Sequence, residues 1–247
     1  MKIAIVIPAR FASTRFPGKP LALVQGKPMI VRVAEKSRAA WPEAQVVVAT
    51  DDERIRQAVE AAGFQVAMTR TDHPSGSDRI HEAATQLGLG ADDLVVNVQG
   101  DEPQVRREWI EALIRPFQRD ASLRMSTIAH DLGAEDLESP NAVKAIVNSK
   151  SHAIYFTRYA APYSRQSFAE MGAGPVLKHM GFYAYRKGFL DEFCGTVPSY
   201  CERAESLEQL RALEMGERIF VTRVEGRSLG VDTPDDLVKL NEIWRDE

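Results

Sequence analysis

Short runs of β-branched residues alternate with segments of helical period, and no other feature of this chain constrains its fold as much. Lys2 to Ile7 precedes the helical spacing of Met29 to Ala40, Gln45 to Ala49 precedes Glu53 to Ala62, and Leu94 to Val98 precedes Trp109 to Gln118. A strand, a crossover helix and another strand make a βαβ unit, so the pattern predicts an α/β fold with a mostly parallel sheet. Val46-Val47-Val48-Ala49 is apolar on both faces, as a strand covered by helices on each side must be. Asp51-Asp52 then offers a helix cap and Gly63 a helix stop. Beyond residue 120 the rhythm changes. Arg124 to His130, Ala142 to Val147 and His179 to Tyr185 read as strands too closely spaced for parallel crossovers, which predicts a β-rich excursion in the second half. A helix from Glu202 to Met215, a strand from Arg218 to Val224 and a last helix from Pro234, opened by Thr233, complete the reading. No linker interrupts residues 1–247, so a single α/β domain is expected.

The charge balance excludes whole classes of partner. Lysine and arginine number 31 against 35 acidic residues, a net charge of −4, so no global positive field exists to hold nucleic acid or an anionic membrane. The apolar run Ile3 to Ile7 ends at Pro8 and is too short for a signal sequence, and no stretch approaches the roughly 18 apolar residues of a spanning helix. Cys194 and Cys201 lack the companions of a zinc site or a disulfide framework. A cytoplasmic protein is expected.

Against this acidic background, the first acid in the chain is Glu35, while Lys2, Arg10, Arg15, Lys19, Lys27 and Arg32 all precede it or lie near it. Residues 8–20 follow the first strand, at the sheet edge where open α/β folds bind ligands. Arg10, Arg15 and Lys19 would converge there on a polyphosphate, although a solvated basic loop would be spelled the same way. The chain has neither GxGxxG nor GxxxxGK[ST] in that place. Gln99-Gly100-Asp101-Glu102-Pro103 follows the strand Leu94 to Val98, which brings Asp101 to the same edge as a hard-oxygen ligand for Mg²⁺. Gly230-Val231-Asp232-Thr233-Pro234 repeats an Asp close behind a Gly; helix-start chemistry alone would also account for Thr233-Pro234. Two carboxylates opposite a basic loop are what a metal-assisted nucleotidyl transfer requires.

The strings IPARFASTRFPGKPL, VATDD, TRTDHPSGSDR, VNVQGDEP, NAVK, YFTR, KHMGFYAYR, LEQLR and GVDTPDDL run from residue 7 to residue 237. Together they resemble the 3-deoxy-manno-octulosonate (Kdo) cytidylyltransferase, or CMP-Kdo synthetase, family over nearly the whole chain. The resemblance implies a Rossmann-like nucleotidyltransferase fold, a homodimer, and the activation of Kdo by CTP for lipopolysaccharide synthesis. It puts Arg10, Arg15 and Lys19, with Ala9 and Ser13 beside them, on triphosphate-binding positions. It puts Asp101 and Asp232 on the Mg²⁺ ligands, and Ser75, Gly76, Ser77 and Arg79 on a loop near the cytidine. Gln99, Arg158, His179, Tyr183, Glu208 and Gln209 fall on or beside positions lining the sugar site, with Arg158 as a partner for the sugar carboxylate.

By themselves the sugar-site residues carry plainer readings. Leu207, Leu210 and Leu213 form an apolar stripe that leaves Glu208 and Gln209 on a solvated face. His179 could be a structural histidine, Arg158 could close a surface ion pair, and His73 reads as a turn residue. Ser77 and Ala160-Ala161-Pro162-Tyr163 depart from the family's usual Thr and Pro-Ile-Pro-aromatic spelling. An 8-amino-3,8-dideoxy sugar therefore stands as an alternative substrate, and a CMP-sialate synthetase as a more distant one.

Overall fold

The computed structural model describes residues 1–12, 16–163, 165, 174–227 and 229–244. The chain divides into two compact units, residues 1–111 with 228–247 and residues 112–227, so the second is inserted into the sequence of the first.

In the first unit β1 (Ile3–Ala9) leads through a short 3₁₀ turn (Lys19–Leu21) into a hairpin of β2 (Leu23–Val24) and β3 (Lys27–Pro28). Then follow α1 (Met29–Ala40), β4 (Gln45–Thr50), α2 (Glu53–Ala61), β5 (Gln65–Met68), α3 (Gly76–Gln86), β6 (Leu94–Asn97) and α4 (Arg107–Arg119), in which the chain passes into the second unit. The sheet order here is β6-β1-β4-β5, every pair parallel, with Ile5 level with Val46 on one side and Val96 on the other. Ala4, Ile5, Val6 and Ile7 have no exposed surface, the mark of a strand covered on both faces. Met29, Ile30, Val33, Ala34 and Ser37 form the buried stripe of α1, spaced at three and four residues. Asp52 caps α2 by accepting from the Arg54 N–H, as its place before a helix suggested. Because β4 and β5 extend the sheet on one side of β1 and β6 on the other, the chain reverses direction at β1. That switch point is where the strands' carboxyl ends open a crevice for ligands.

The C-terminal helix (Pro234–Ile243) begins with a capping box between Thr233 and Asp236. Leu240 and Trp244 join Val24, Met29 and Val231 in an apolar cluster, and the Arg32 guanidinium stands 5.3 Å from the Trp244 ring centre while donating to the Val24 carbonyl. Complete burial of Val231 is worth about 1.5–3 kcal/mol and anchors the residue that precedes Asp232.

The second unit is the β-rich excursion that the sequence predicted. It comprises β7 (Met125–Asp131), α5 (Ala134–Leu137), β8 (Lys144–Val147), β9 (Ala153–Thr157), β10 (Val176–Arg186), α6 (Lys187–Gly195), α7 (Tyr200–Glu205), α8 (Gln209–Glu214) and β11 (Ile219–Arg223). β11 is parallel to β7, and β7-β10-β8-β9 are successively antiparallel. Ser151, just before β9, accepts from the Val221 N–H of β11. Between His179 and Tyr183 three residues of β10 oppose one of β7, a bulge that Gly181 accommodates at φ +73°.

The expected helix from Glu202 to Met215 is two helices. Ser206 adopts the left-handed conformation at φ 53° and breaks the run, and Arg158 donates to the carbonyls of Glu205 and Ser206 at the break. A buried ion pair spans the two pieces: Arg211 of α8 donates to both carboxylate oxygens of Glu202 on α7, at 2.8 and 2.5 Å, and to the Phe193 carbonyl. Removing one partner of such a pair strands the other charge. Glu202→Ala should therefore lower stability by about 3–5 kcal/mol in urea unfolding; a loss below about 1 kcal/mol would show that Arg211 finds other support.

Candidate active site

At the carboxyl end of β1 the chain delivers Arg10, and at the carboxyl end of β6 it delivers Gln99 to Glu102. Gly100 is required there: a Cβ at this position would lie 2.6 Å from the Pro8 carbonyl oxygen, so only glycine lets the two strand ends approach this closely. The Val231 N–H donates to the Asp101 carbonyl at 3.0 Å and the Leu229 N–H to the Gln104 side chain, which ties the Asp232 turn to the β6 turn. Thr233 and Asp236 form the helix start, as the plain reading of that stretch held, and Asp232 stands one residue ahead of it as a separate group.

Lys19 closes the arrangement. Its ammonium lies 2.7 Å from Asp101 Oδ2 and 3.5 Å from Asp232 Oδ1, with the lysine side chain 14% exposed. Three residues more than eighty positions apart in sequence thus meet around one cation. A site that gathers two carboxylates on a single positive charge fits a divalent ion of Mg²⁺ type, which takes one or two protein carboxylates and fills its remaining positions with phosphate and water oxygens. Among the described residues no group of three His, Cys, Asp or Glu side chains forms a closed metal cage.

The basic loop and the cytidine segment also meet. Arg10 donates through one nitrogen to the carbonyls of His73 and Ser75, so it fixes the entry to α3. Ser13 and Arg15 lie outside the described residues. The segment expected as a loop from Ser75 to Arg79 is a helix start: Ser75 caps α3 by accepting from the Asp78 N–H, and Gly76, Ser77 and Arg79 occupy its first turns. Arg79 is fully buried, and its guanidinium bonds to Asp51 at 2.9 Å and to Thr69. Its donors are therefore directed inward, where they hold the VATDD strand end against α3. Ala9 is buried in β1 and contributes only backbone. His73 is a buried residue paired with Glu82, more than the turn residue it resembled.

In the second unit the β10 bulge brings His179 and Tyr183 together. Residues four apart on a regular strand are separated by about 13 Å; here the ring centres are 5.2 Å apart, and Phe156 meets the other side of His179 at 5.1 Å. The Thr127 hydroxyl donates to the Phe182 carbonyl at 2.6 Å, so toward His179 Nε2, at 2.9 Å, it can only accept. The imidazole is therefore the Nε2–H tautomer and presents Nδ1 as an acceptor. Desolvation of the ring among these aromatics pushes the His179 pKa down to about 3. Burial pushes the Tyr183 phenol well above its ordinary range, and the neighbouring Tyr185 and Glu208 add to the shift.

Gln209 corrects the expectation of a solvated face. It opens α8 only 4% exposed, because the break at Ser206 rotates this helix away from the direction a continuous one would take. Its side-chain Nε2 is a buried donor with no hydrogen-bond partner. Arg158 departs from its plainer reading as a surface ion pair: its guanidinium donates to three backbone carbonyls, those of Glu205 at 2.9 Å, Pro140 at 3.0 Å and Ser206 at 3.5 Å. Sequence reasoning missed two residues in this unit. Lys144 is a fully buried lysine, and Glu205 accepts from the Thr157 hydroxyl and the Arg158 N–H. The NAVK string held the first in view, but nothing in its spelling tells a buried ammonium from an exposed one.

Residues 4–219 match the family model described as cytidylyltransferase. The 3-deoxy-manno-octulosonate cytidylyltransferase of Bdellovibrio bacteriovorus is 50% identical over 98% of both chains, and that of Pelobacter propionicus is 48% identical over 99% of this chain and 98% of its own. A solved structure of a CMP:2-keto-3-deoxy-manno-octonic acid synthetase complexed with CTP superimposes with a TM-score of 0.91 at 42% identity, covering 98% of each chain. A cytidylyltransferase from Leptospira borgpetersenii, 16% identical with a TM-score of 0.63 over 98% of this chain and 93% of its own, shares the fold. Full-length identity at this level joins with the convergence of Lys19, Asp101 and Asp232 to place the chain: it belongs to the 3-deoxy-manno-octulosonate cytidylyltransferase family.

Proposed function

We propose that the protein transfers CMP from CTP to the anomeric C2 hydroxyl of Kdo, releasing pyrophosphate, with Mg²⁺ as cofactor, and that it works in the cytoplasm as a homodimer. The observation that carries this reading is the meeting of two carboxylates and a lysine at the carboxyl ends of β1 and β6. The family's relatives are named for the same transfer, and one solved relative holds CTP.

The residues divide the work by chemistry. Asp101 and Asp232 would hold Mg²⁺, which when bound supplies positive charge to the α-phosphate and favours ionisation of the attacking hydroxyl. The C2 oxygen, its proton passing to solvent, attacks the α-phosphorus, the bond from that phosphorus to the bridging oxygen breaks, and pyrophosphate departs with the electron pair. Lys19, with Arg10 and Arg15 on the same loop, stabilises the charge that grows on the leaving group. Ser75, Gly76 and Ser77 offer the start of α3 to the nucleotide, while Arg79, directed inward, positions that start. Sugar recognition falls to His179, Tyr183, Glu208 and Gln209. Neutral His179 accepts a sugar hydroxyl at Nδ1, and the unpartnered Gln209 Nε2 supplies a donor whose burial is costly until a ligand satisfies it. Arg158 supports this group through the carbonyls it holds.

A pyrophosphate-release assay crossing CTP, ATP, GTP and UTP with Kdo, 8-amino-3,8-dideoxy-octulosonate and sialic acid tests the reading. CTP with Kdo should give the highest kcat/KM; a preference for either other sugar moves the assignment to that substrate, and turnover with none of them overturns it. Asp101→Asn keeps the shape of the side chain but removes a charge from the metal site, so turnover should fall at least about a hundredfold while the unfolding midpoint stays near the parent value. Near-normal turnover by the folded variant would sink the metal assignment.

His179 gives a pH prediction with a definite sign. Its folded value of about 3 lies below the ordinary 6.5, so the folded protein excludes a proton that the unfolded chain binds. Its contribution to stability is therefore complete above about pH 6.5 and declines as pH falls toward 3. Nitrogen-15 NMR of the imidazole should show the neutral Nε2–H tautomer from about pH 8 down to about pH 5. A titration centred near pH 6.5 would refute the desolvated, neutral assignment.

A further inference from the structure

Lys144 is the most deeply buried ammonium in the second unit, and the proposed chemistry gives it no task. The residue has no exposed surface, and its three N–H donors go to the carbonyls of Ser139 at 2.9 Å, Ala142 at 2.8 Å and Arg158 at 2.7 Å. An ammonium has three donors and no acceptor, so the hydrogen bonding is complete. The charge is not: none of the three partners is an anion. A buried cation carried on neutral dipoles alone is expensive, and a closed turn of this kind does not need one.

The surrounding groups leave the charge in excess. Lys178, level with Lys144 on the adjoining strand, is paired to Asp136 at 2.8 Å. Arg158 spends its guanidinium on carbonyls, and the Glu205 carboxylate is bonded to the Thr157 hydroxyl and the Arg158 N–H. Three cations, Lys144, Lys178 and Arg158, therefore stand against two carboxylates, Asp136 and Glu205. Burial lowers the Lys144 pKa, while Asp136 and Glu205 act through space to raise it and Arg158 opposes them. The lysine also sits where the sugar-binding segments are fastened: the neighbouring Val143 carbonyl accepts from the His179 N–H at 2.9 Å, and the Arg158 it holds clamps the Glu205–Ser206 break just before Glu208 and Gln209.

We infer that Lys144 is a positioning and specificity residue, whose buried charge biases the site formed around His179 and Gln209 toward a sugar bearing a carboxylate. The inference rests on the proposed assignment of those residues to the sugar. Lys144 does not touch the substrate. It fixes the backbone beneath the residues that do, and it supplies a fixed positive potential that water cannot rearrange to cancel. At an effective dielectric constant of about 20, a unit charge acting across about 12 Å alters binding of an anion by about tenfold.

The test compares Kdo with its C1 methyl ester, which keeps the attacking C2 hydroxyl and loses the negative charge. Lys144→Gln should lower kcat/KM for the acid about tenfold more than for the ester, with the CTP Kd unchanged. Glu205→Gln removes a negative charge from the same cluster and should shift the acid-to-ester ratio in the opposite direction. Parallel losses on acid and ester in a folded Lys144→Gln protein would mean a structural role alone and overturn the inference, as would equal weakening of CTP. Should Lys144→Gln fail to fold, Glu205→Gln decides: an unchanged or lowered ratio overturns the inference. The parent enzyme keeps the two readings apart. If it turns over another keto-acid sugar in place of Kdo, the comparison is made with that acid and its ester; if it turns over none, both readings fall; and if it turns over Kdo while the variants leave the ratio unmoved, only this inference falls.

Discussion

β1 is paired to β4 from Ala4 to Ala9 and to β6 from Ile3 to Val6 and is covered on both faces, so a polar side chain in its interior would be left with an unmet hydrogen bond. Reactive groups are thereby confined to the strand ends, and because the pairing is parallel the carboxyl ends of β1 and β6 lie at one edge. Arg10 and Asp101 follow directly from that constraint. Gly100 allows the two ends to close, and the Val231 bond to the Asp101 carbonyl fastens Asp232 beside them. The buried cluster of Val24, Met29, Val231, Leu240 and Trp244 then keeps the C-terminal helix in place, so the turn that carries Asp232 is held by ordinary apolar packing.

A second theme is the use of cations as clamps on backbone carbonyls. Arg10 holds the carbonyls of His73 and Ser75, Arg32 those of Val24 and Gln25, Lys144 those of Ser139, Ala142 and Arg158, and Arg211 those of Phe193 and Thr196. Loops have no ladder partners for their carbonyl groups, and a multidentate cation satisfies two or three at once. The arrangement makes loops rigid without adding apolar surface. It also leaves positive potential inside the protein, which suits substrates that carry phosphates and a carboxylate.

The candidate site was legible in proportion to how local its causes are. Asp101 behind Gly100, Arg10 and Lys19 after β1 and the Thr233 cap are each explained by a few neighbouring residues, and each stands at the strand end or helix start that the sequence suggested. The surroundings of Arg79 and Arg158 were not legible, because an arginine's bonds depend on which acceptors lie near it in space. Asp51 and Thr69 claim the first, and three carbonyls claim the second.

The sequence by itself determined the alternation of strand and helix, the parallel half of the sheet, the helix starts at Asp52 and Thr233, and the placing of acids and bases at strand ends. These follow from periodicity and capping, which act over a few residues. Only the tertiary structure decided that Lys19 stands between Asp101 and Asp232, that the bulge at Gly181 brings His179 against Tyr183, and that Ser206 breaks a helix so that Gln209 turns inward. Each depends on backbone geometry set by distant partners, the strand β7, the guanidinium of Arg158 and the turn at Val231, and no local pattern encodes a distance between residues far apart in the chain.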